Sequence, residues 1–279
     1  MKQGSLIVVG TGIEAIGQVT LAAQRAMEGA DELLYLVPDP VTQEWIEGLN
    51  PVRESLQDMY VPGRDRALIY GAITARMLRE VRNGRRVCAA LYGHPGVFVH
   101  SGHAAVRAAR AEGHRARMLA AVSAEDCLFA DLGVDPGLWG RQSYEATNFL
   151  MRRRVVDVSA PLVLWQIGLI GIFDHGQDPD RSAEGLRALA DILGQLYGEE
   201  HEVLVYEASL LGICDPRIDS VPIHELPSVE VSSASTLFVP PSEAVSWDTE
   251  MLDRLGIDVD QGKQLEREGA GLYAPPDGR

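Results

Sequence analysis

Apolar residues in this chain come as short runs separated by longer stretches of helical periodicity. Leu6-Ile7-Val8-Val9 is a β-branched run that reads as a buried strand. It ends in Gly10-Thr11-Gly12. A helical pattern through Ile16, Val19, Leu21 and Ala26 follows at once, predicting strand, tight turn and helix. Glu32-Leu33-Leu34-Tyr35-Leu36-Val37 predicts a second strand stopped by Pro38-Asp39-Pro40, and Glu44 to Leu49 a short helix. Between Arg66 and Asn83, Leu68, Ala72, Ala75, Met77, Leu78 and Val81 form one apolar helical face. Val87 to Leu91 predicts a further buried strand, and His103 to Gly113 an alanine-rich helix ended by glycine. Alternating strands and helices imply a parallel sheet.

A second set of elements begins near Met118. Ser123-Ala124-Glu125-Asp126 reads as a helix N-cap followed by early acids. Strands are predicted at Leu162 to Gln166, Glu202 to Glu207 and Ser235 to Pro240, and a helix over Arg181 to Tyr197. The expected organisation is two α/β domains, residues 1–118 and 119–241, with a C-terminal extension over 242–279. That extension holds one amphipathic helix at most and frays from Gly269 to Arg279.

Composition narrows the partners. A net charge of −15 argues against nucleic acid, because phosphate binding needs a basic surface. No apolar run is long enough to span a bilayer, which argues against a membrane role. The N-terminus enters a strand without a secretory signal, so a cytoplasmic location is expected. Cys88, Cys127 and Cys214 lie far apart in apolar surroundings and read as buried free thiols. Metal-ligand spacing is missing; His100 and His103, three apart, lack a third ligand. Arg152-Arg153-Arg154 reads as a solvated helix end, with docking of an acidic peptide as the alternative.

The candidate chemistry starts where strands end. Leu91-Tyr92-Gly93-His94-Pro95-Gly96-Val97-Phe98 follows a buried strand. Glycine lets backbone approach a ligand, proline fixes the turn, and ligands sit at strand ends in parallel sheets. By contrast, Gly12-x4-Gly17 lacks the spacing of a dinucleotide fingerprint. Arg66 and Tyr70, four apart on a predicted helix, share one face, and Tyr60 lies in the segment leading to it. Such residues are also ordinary on a half-exposed helix.

Six short motifs then occur in one order: Val9-Gly10-Thr11-Gly12, Tyr92 to Phe98, Ser123 to Asp126, Trp165-Gln166, Tyr206-Glu207-Ala208 and Ser235-Thr236-Leu237. Over residues 5–240 this pattern resembles the tetrapyrrole methylase superfamily. The resemblance implies two α/β domains with S-adenosylmethionine in the cleft between them. Gly-His-Pro-Gly-Val-Phe in place of Gly-Asp-Pro, Phe129-Ala130-Asp131-Leu132-Gly133-x-Asp135-Pro136, Tyr144-Glu145-Ala146-Thr147 and the set Tyr60, Arg66, Tyr70 are similar to the borosin α-N-methyltransferases. Those enzymes methylate backbone amides of a ribosomal peptide. The chain stops at Arg279 without an apolar core peptide, so the resemblance implies the split type acting on a separate precursor peptide.

Residue by residue, the resemblance implies that Tyr92, His94 and Val97, with Phe98 beside them, line the methionine part of the cofactor. Gln166, Ser123, Ala124 and Glu207 would also contact it, with Ser235 and Thr236 near the adenine. Tyr70 is the candidate base. Arg66 would lower its pKa or hold the substrate carbonyl, and Tyr60 would donate to the imidate oxygen. The two tyrosines can exchange roles. The resemblance also implies a homodimer, a heterotetramer with two precursor peptides. Apolar Ile167 to Phe173 is the segment expected to support pairing. Two rivals remain at this point: a methylase of a small tetrapyrrole-like molecule, and a non-catalytic cofactor- or peptide-binding protein.

Overall fold

The computed structural model describes residues 3–61, 63–173, 179–244 and 246–260. Two five-stranded sheets organise them. The described residues fall into two compact units. One holds residues 3–61, 63–127, 173 and 209–215; the other holds residues 128–172, 179–208, 216–244 and 246–260.

The first sheet comprises β1 (Ser5–Gly10), β2 (Glu32–Leu36), β3 (Arg53–Ser55), β4 (Arg86–Leu91) and β5 (Arg115–Met118), in the order β3-β2-β4-β1-β5. Every pair is parallel. Strand alternation sorts the two faces. Leu6, Val8, Val87 and Ala89 pack with Ile69, Ile73 and Met77 of α3 (Arg66–Arg82) and Ala105 and Ala109 of α4 (His100–Ala111). Val9, Leu33, Cys88 and Ala90 pack with Ala23 and Met27 of α1 (Leu21–Glu28) and Ile46 of α2 (Pro40–Leu49).

Several elements depart from the sequence expectation. α1 does not follow Gly12 directly. It starts at Leu21, where the Thr20 hydroxyl accepts from the Ala23 N–H at 3.1 Å, leaving a long loop after β1. Pro38-Asp39-Pro40 starts a helix as well as following a strand: Asp39 caps α2 through the Thr42 N–H at 2.7 Å and Pro40 takes its first turn. α4 begins at His100 rather than His103. Edge strands β3 and β5, Arg53-Glu54-Ser55 and Arg115-Ala116-Arg117-Met118, are too polar to stand out as apolar runs. Of the cysteines, only Cys88 is buried; Cys127 is partly exposed and Cys214 exposed.

α3 is tied to the sheet by charge. The Arg76 guanidinium bonds Glu32 at 2.5 Å and Glu54 at 2.9 Å through Nε, and its side chain is almost fully buried. Glu32 Oε2 and Arg76 Nη1 have no hydrogen-bond partner. Removing one member of such a buried pair strands the other charge.

The second sheet comprises β6 (Gln142–Glu145), β7 (Leu162–Trp165), β8 (Glu202–Glu207), β9 (Arg217–Pro222) and β10 (Thr236–Val239), ordered β6-β7-β10-β8-β9. β6 and β7 are parallel and the other three pairs antiparallel. Leu162, Leu164, Val203, Val205, Leu237 and Val239 pack with Leu186, Leu189 and Leu193 of α8 (Pro179–Tyr197). Shorter helices α5 (Ala124–Leu132), α6 (Pro136–Trp139), α7 (Ala146–Met151) and α9 (Thr249–Leu255) complete the described α-helices. Gly269 to Arg279, expected to fray, lies outside the described residues.

The segment expected to support pairing is mostly internal. Ile167, Leu169, Ile170 and Ile172 are buried, Ile167 and Ile170 within the core of the second unit, while Gly171 and Phe173 are exposed. In the basic run, Arg152 caps the end of α7, while Arg154 stacks on Tyr144 at 4.5 Å and donates to Asn148 at 2.7 Å.

Candidate active site

The ends of the adjacent strands β1 and β4 are stitched together. Thr11 N–H donates to the Leu91 carbonyl at 2.9 Å, and Gly93 N–H to the Gly12 carbonyl at 2.9 Å. A side chain at Gly10 would collide with the Gly93 carbonyl and with Ala121 and Pro95. Gly93 itself has φ +69°. Only glycine meets both demands without strain. The sequence thus closes two loops onto one another at the ligand edge of a parallel sheet.

Two histidines shape the loop after β4. The His94 Nδ1 accepts from the Gly96 N–H at 3.0 Å. The His103 Nε2 lies 2.9 Å from the Gly96 carbonyl, which only accepts, so that nitrogen carries the proton. The His94 ring therefore holds the turn. Val97 and Phe98 beyond it are exposed. Among the described non-glycine residues, positive φ occurs at Ile16, Phe98 and Gln166, in the segments after β1, β4 and β7. Such conformations cost about 1–3 kcal/mol each and gather at functional sites. Ile16 gives no sequence signal, since a β-branched residue is the least expected at positive φ.

Tyr60 ends a short 3-10 turn, Gln57–Met59, and Arg66 and Tyr70 occupy the first turns of α3. Asp65 caps that helix through the Ala67 N–H at 2.6 Å, and the Arg66 N–H donates to the Phe173 carbonyl at 3.3 Å. A cation in a first turn opposes the helix dipole, so Arg66 sits where local stability does not favour it. Tyr60 and Tyr70 line a cavity of about 280 Å³ together with Tyr92 and Phe98 of the strand-end loop. Gln57, His100 and Ser101 also line it, and sequence reasoning had not placed them there. Burial pushes the Tyr60 hydroxyl up to about 12; Tyr70 nearby adds to this and the Arg66 charge acts against it. Burial likewise pushes Tyr92 up to about 12, with smaller effects of Cys127 and Asp39.

The remaining candidate residues are distributed as follows. Ser123 is buried and caps α5: its N–H and hydroxyl donate to the Asp126 carboxylate at 2.7 Å, a reciprocal box with the Asp126 N–H. Ala124 follows it, partly exposed. In the second unit, Gln166 follows β7 in the left-handed region. Glu207, at the end of β8, accepts from Ser232 at 2.9 Å and from Ser235, and pairs with Arg217 at 3.4 Å. Ser235 is fully buried and Thr236 nearly so. Their polar side-chain atoms are engaged inside the unit. Among the described residues no group of three His, Cys, Asp or Glu could hold a metal. No described helix is long and apolar enough to cross a membrane.

The family model of Tetrapyrrole (Corrin/Porphyrin) Methylases matches residues 5–226, so the chain belongs to that family of S-adenosylmethionine-dependent methyltransferases. Within it, the sequence is 43% identical over 255 residues to the methyltransferase and dendrothelin A precursor of Dendrothele bispora, covering 90% of this chain and 61% of that protein. It is 37% identical over 282 residues to the methyltransferase and type I borosin cyclic peptide precursor of Serendipita vermifera subsp. bescii, covering 99% of this chain and 68% of that protein. The chain thus spans about three fifths of the length of the former relative. The solved structure of uroporphyrin-III-C-methyltransferase from Thermus thermophilus shares the fold, with a TM-score of 0.58 at 20% identity over 86% of this chain and 96% of that one.

Proposed function

We propose that this chain transfers methyl groups from S-adenosylmethionine to backbone amide nitrogens of a separate precursor peptide, repeatedly along one peptide. The observation that carries the reading is the shared cavity of Tyr60 and Tyr70 with Tyr92 and Phe98. The names of the relatives, methyltransferases joined to cyclic peptide precursors, support a peptide substrate over a tetrapyrrole.

The residues present fit the cofactor. Gly10 and Gly93 are buried and let the two strand-end loops close on each other, while Val97 and Phe98 of the second loop stay exposed. Among the described residues lining the cavity there is no Arg or Lys, and its aromatic rings offer faces to a sulfonium cation. Tyr92, His94, Val97, Phe98, Ser123 and Ala124 would hold it; of the further residues the resemblance gives, Gln166, Glu207, Ser235 and Thr236, the last two are buried with their hydroxyls engaged within their own unit. S-adenosylmethionine, when bound, supplies an electrophilic methyl group.

An amide N–H is a weak acid, so methylation needs its proton removed and the developing imidate charge stabilised. Tyr70 takes the proton. Tyr60, kept protonated by burial, donates to the imidate oxygen, which favours this assignment over the exchanged one. Arg66 provides fixed positive charge beside Tyr60. The proposal includes a cytoplasmic homodimer that holds two peptides as a heterotetramer. This assembly rests on family resemblance.

Mass spectrometry of a separately supplied leader-and-core peptide, incubated with the chain and S-adenosylmethionine, should show stepwise gain of methyl groups. Cofactor binding by calorimetry without any methyl gain would sink the peptide reading. No binding at millimolar cofactor would sink the whole of it. Light scattering that reports only a 30.4 kDa species at micromolar concentration would sink the dimer.

A further inference from the structure

Repeated proton removal needs a group that accepts a proton and gives it up again before the next methylation. Tyr60, Tyr70, Tyr92 and His100 line the cavity; among the described residues no carboxylate, amine or thiol does. Tyr60 and Tyr92 are held protonated by burial. An imidazole is the side chain that exchanges protons readily in the neutral range.

His100 opens α4, is exposed to solvent, and lies against Tyr70: the ring centroids are 6.2 Å apart with planes at 29°. Its neighbour His103 is engaged with the Gly96 carbonyl and does not line the cavity. The ionisable groups around it come from three directions. Tyr70 faces it from α3, with Arg66 one turn earlier. Tyr60 stands in the segment before α3. Tyr92 stands in the strand-end loop, itself influenced by Asp39 and Cys127.

We propose that His100 is the proton acceptor for Tyr70, receiving its phenolic proton across intervening solvent and releasing it to bulk water in each turnover. This rests on the peptide-methylation reading above. The balance is complete. The Tyr70 O–H bond breaks and an N–H bond forms on the imidazole, leaving a phenolate. The phenolate takes the amide proton while the N–CH3 bond forms and the S–CH3 bond breaks. The imidazolium then returns one proton to solvent, matching the positive charge lost from the sulfonium. His100 acts through Tyr70 and does not touch the substrate.

The test uses the full chain with saturating S-adenosylmethionine and the precursor peptide, comparing wild type with His100→Ala and His100→Gln. Both variants should keep cofactor affinity and peptide KM while kcat at neutral pH falls on the order of 10²-fold, the scale of a lost acid–base group. The acid limb of the wild-type kcat profile should vanish in both. Added imidazole should restore turnover in His100→Ala, in proportion to the unprotonated imidazole present. Wild-type kcat in either variant overturns the proposal. So does a loss lacking either the imidazole rescue or the altered pH profile, since a packing role predicts neither. A wild-type chain that binds cofactor but transfers no methyl overturns the functional reading and this proposal with it.

Discussion

The two sheets are built from similar apolar strands but treat their polar side chains differently. In the first, parallel pairing brings the ends of β1, β2 and β4 to one edge, where Tyr60, Tyr70 and Tyr92 line a cavity. In the second, mostly antiparallel pairing accompanies a closed network in which Glu207 is engaged by Ser232, Ser235 and Arg217. One unit lines a cavity with tyrosines; the other binds its own polar groups to each other. Substitution in the first should therefore alter chemistry before stability, and in the second stability first.

The largest effect expected is at Tyr70. Tyr70→Phe keeps the ring and deletes the hydroxyl, so methyl transfer should fall by about 10²–10⁴-fold with little change in Tm. Arg66→Ala should be at least as severe. Full methylation by Tyr70→Phe at the wild-type rate, read by mass spectrometry, would end the catalytic assignment while leaving the cofactor assignment intact.

Gly10→Ala tests the strand-end closure itself. The added carbon meets backbone at Gly93, so a loss of about 1–3 kcal/mol is expected, with weakened cofactor binding by calorimetry. A variant with wild-type Tm would show that the two loops can separate at no cost. Ser235→Ala probes the other side of the comparison. It removes a buried donor to Glu207, and the denaturation midpoint should drop by the equivalent of about 1–2 kcal/mol. Undiminished stability would erase the contrast between the sheets.

The smallest effect concerns Asp31, just before β2. Hydrogen bonds from the Arg86 side chain and backbone hold its carboxyl at about 2. Because the folded value is depressed, its stabilisation is present above the unfolded value of about 3.9 and is lost as pH falls towards 2. The pair is substantially exposed, so the change should be slight. Thermal melts of Asp31→Asn should lack this part of the acid dependence; identical acid profiles for the two proteins would refute it.

Much of this fold can be read along the chain, for identifiable reasons. β1, β2, β4, β7, β8 and β10 are strongly apolar because both faces are covered. β3 and β5 are edge strands with polar sequences, and their pairing is fixed by neighbours rather than by their own pattern. The late start of α1 escapes periodicity because Ile16 and Val19 mimic a helical face inside a loop. At the candidate site, Tyr60 and Tyr70 were approachable through spacing and motif. His100 was not: its contact with Tyr70 joins two helices distant in sequence. His94 shows a third case, a motif residue whose ring serves its own turn.

The charge tie at Arg76 divides α3 into parts of unequal persistence. From Ile69 onward the helix is locked by apolar packing and by the guanidinium held between Glu32 and Glu54. Ahead of Ile69, Ala67 and Leu68 are exposed, and the Asp65 cap and the bond from the Arg66 N–H to Phe173 engage the helix start. Amide hydrogens in the later turns should exchange with solvent only when the whole unit unfolds, while those near Arg66 open locally. The helix is thus a fixed post whose first residues can open locally without loosening the sheet beneath them.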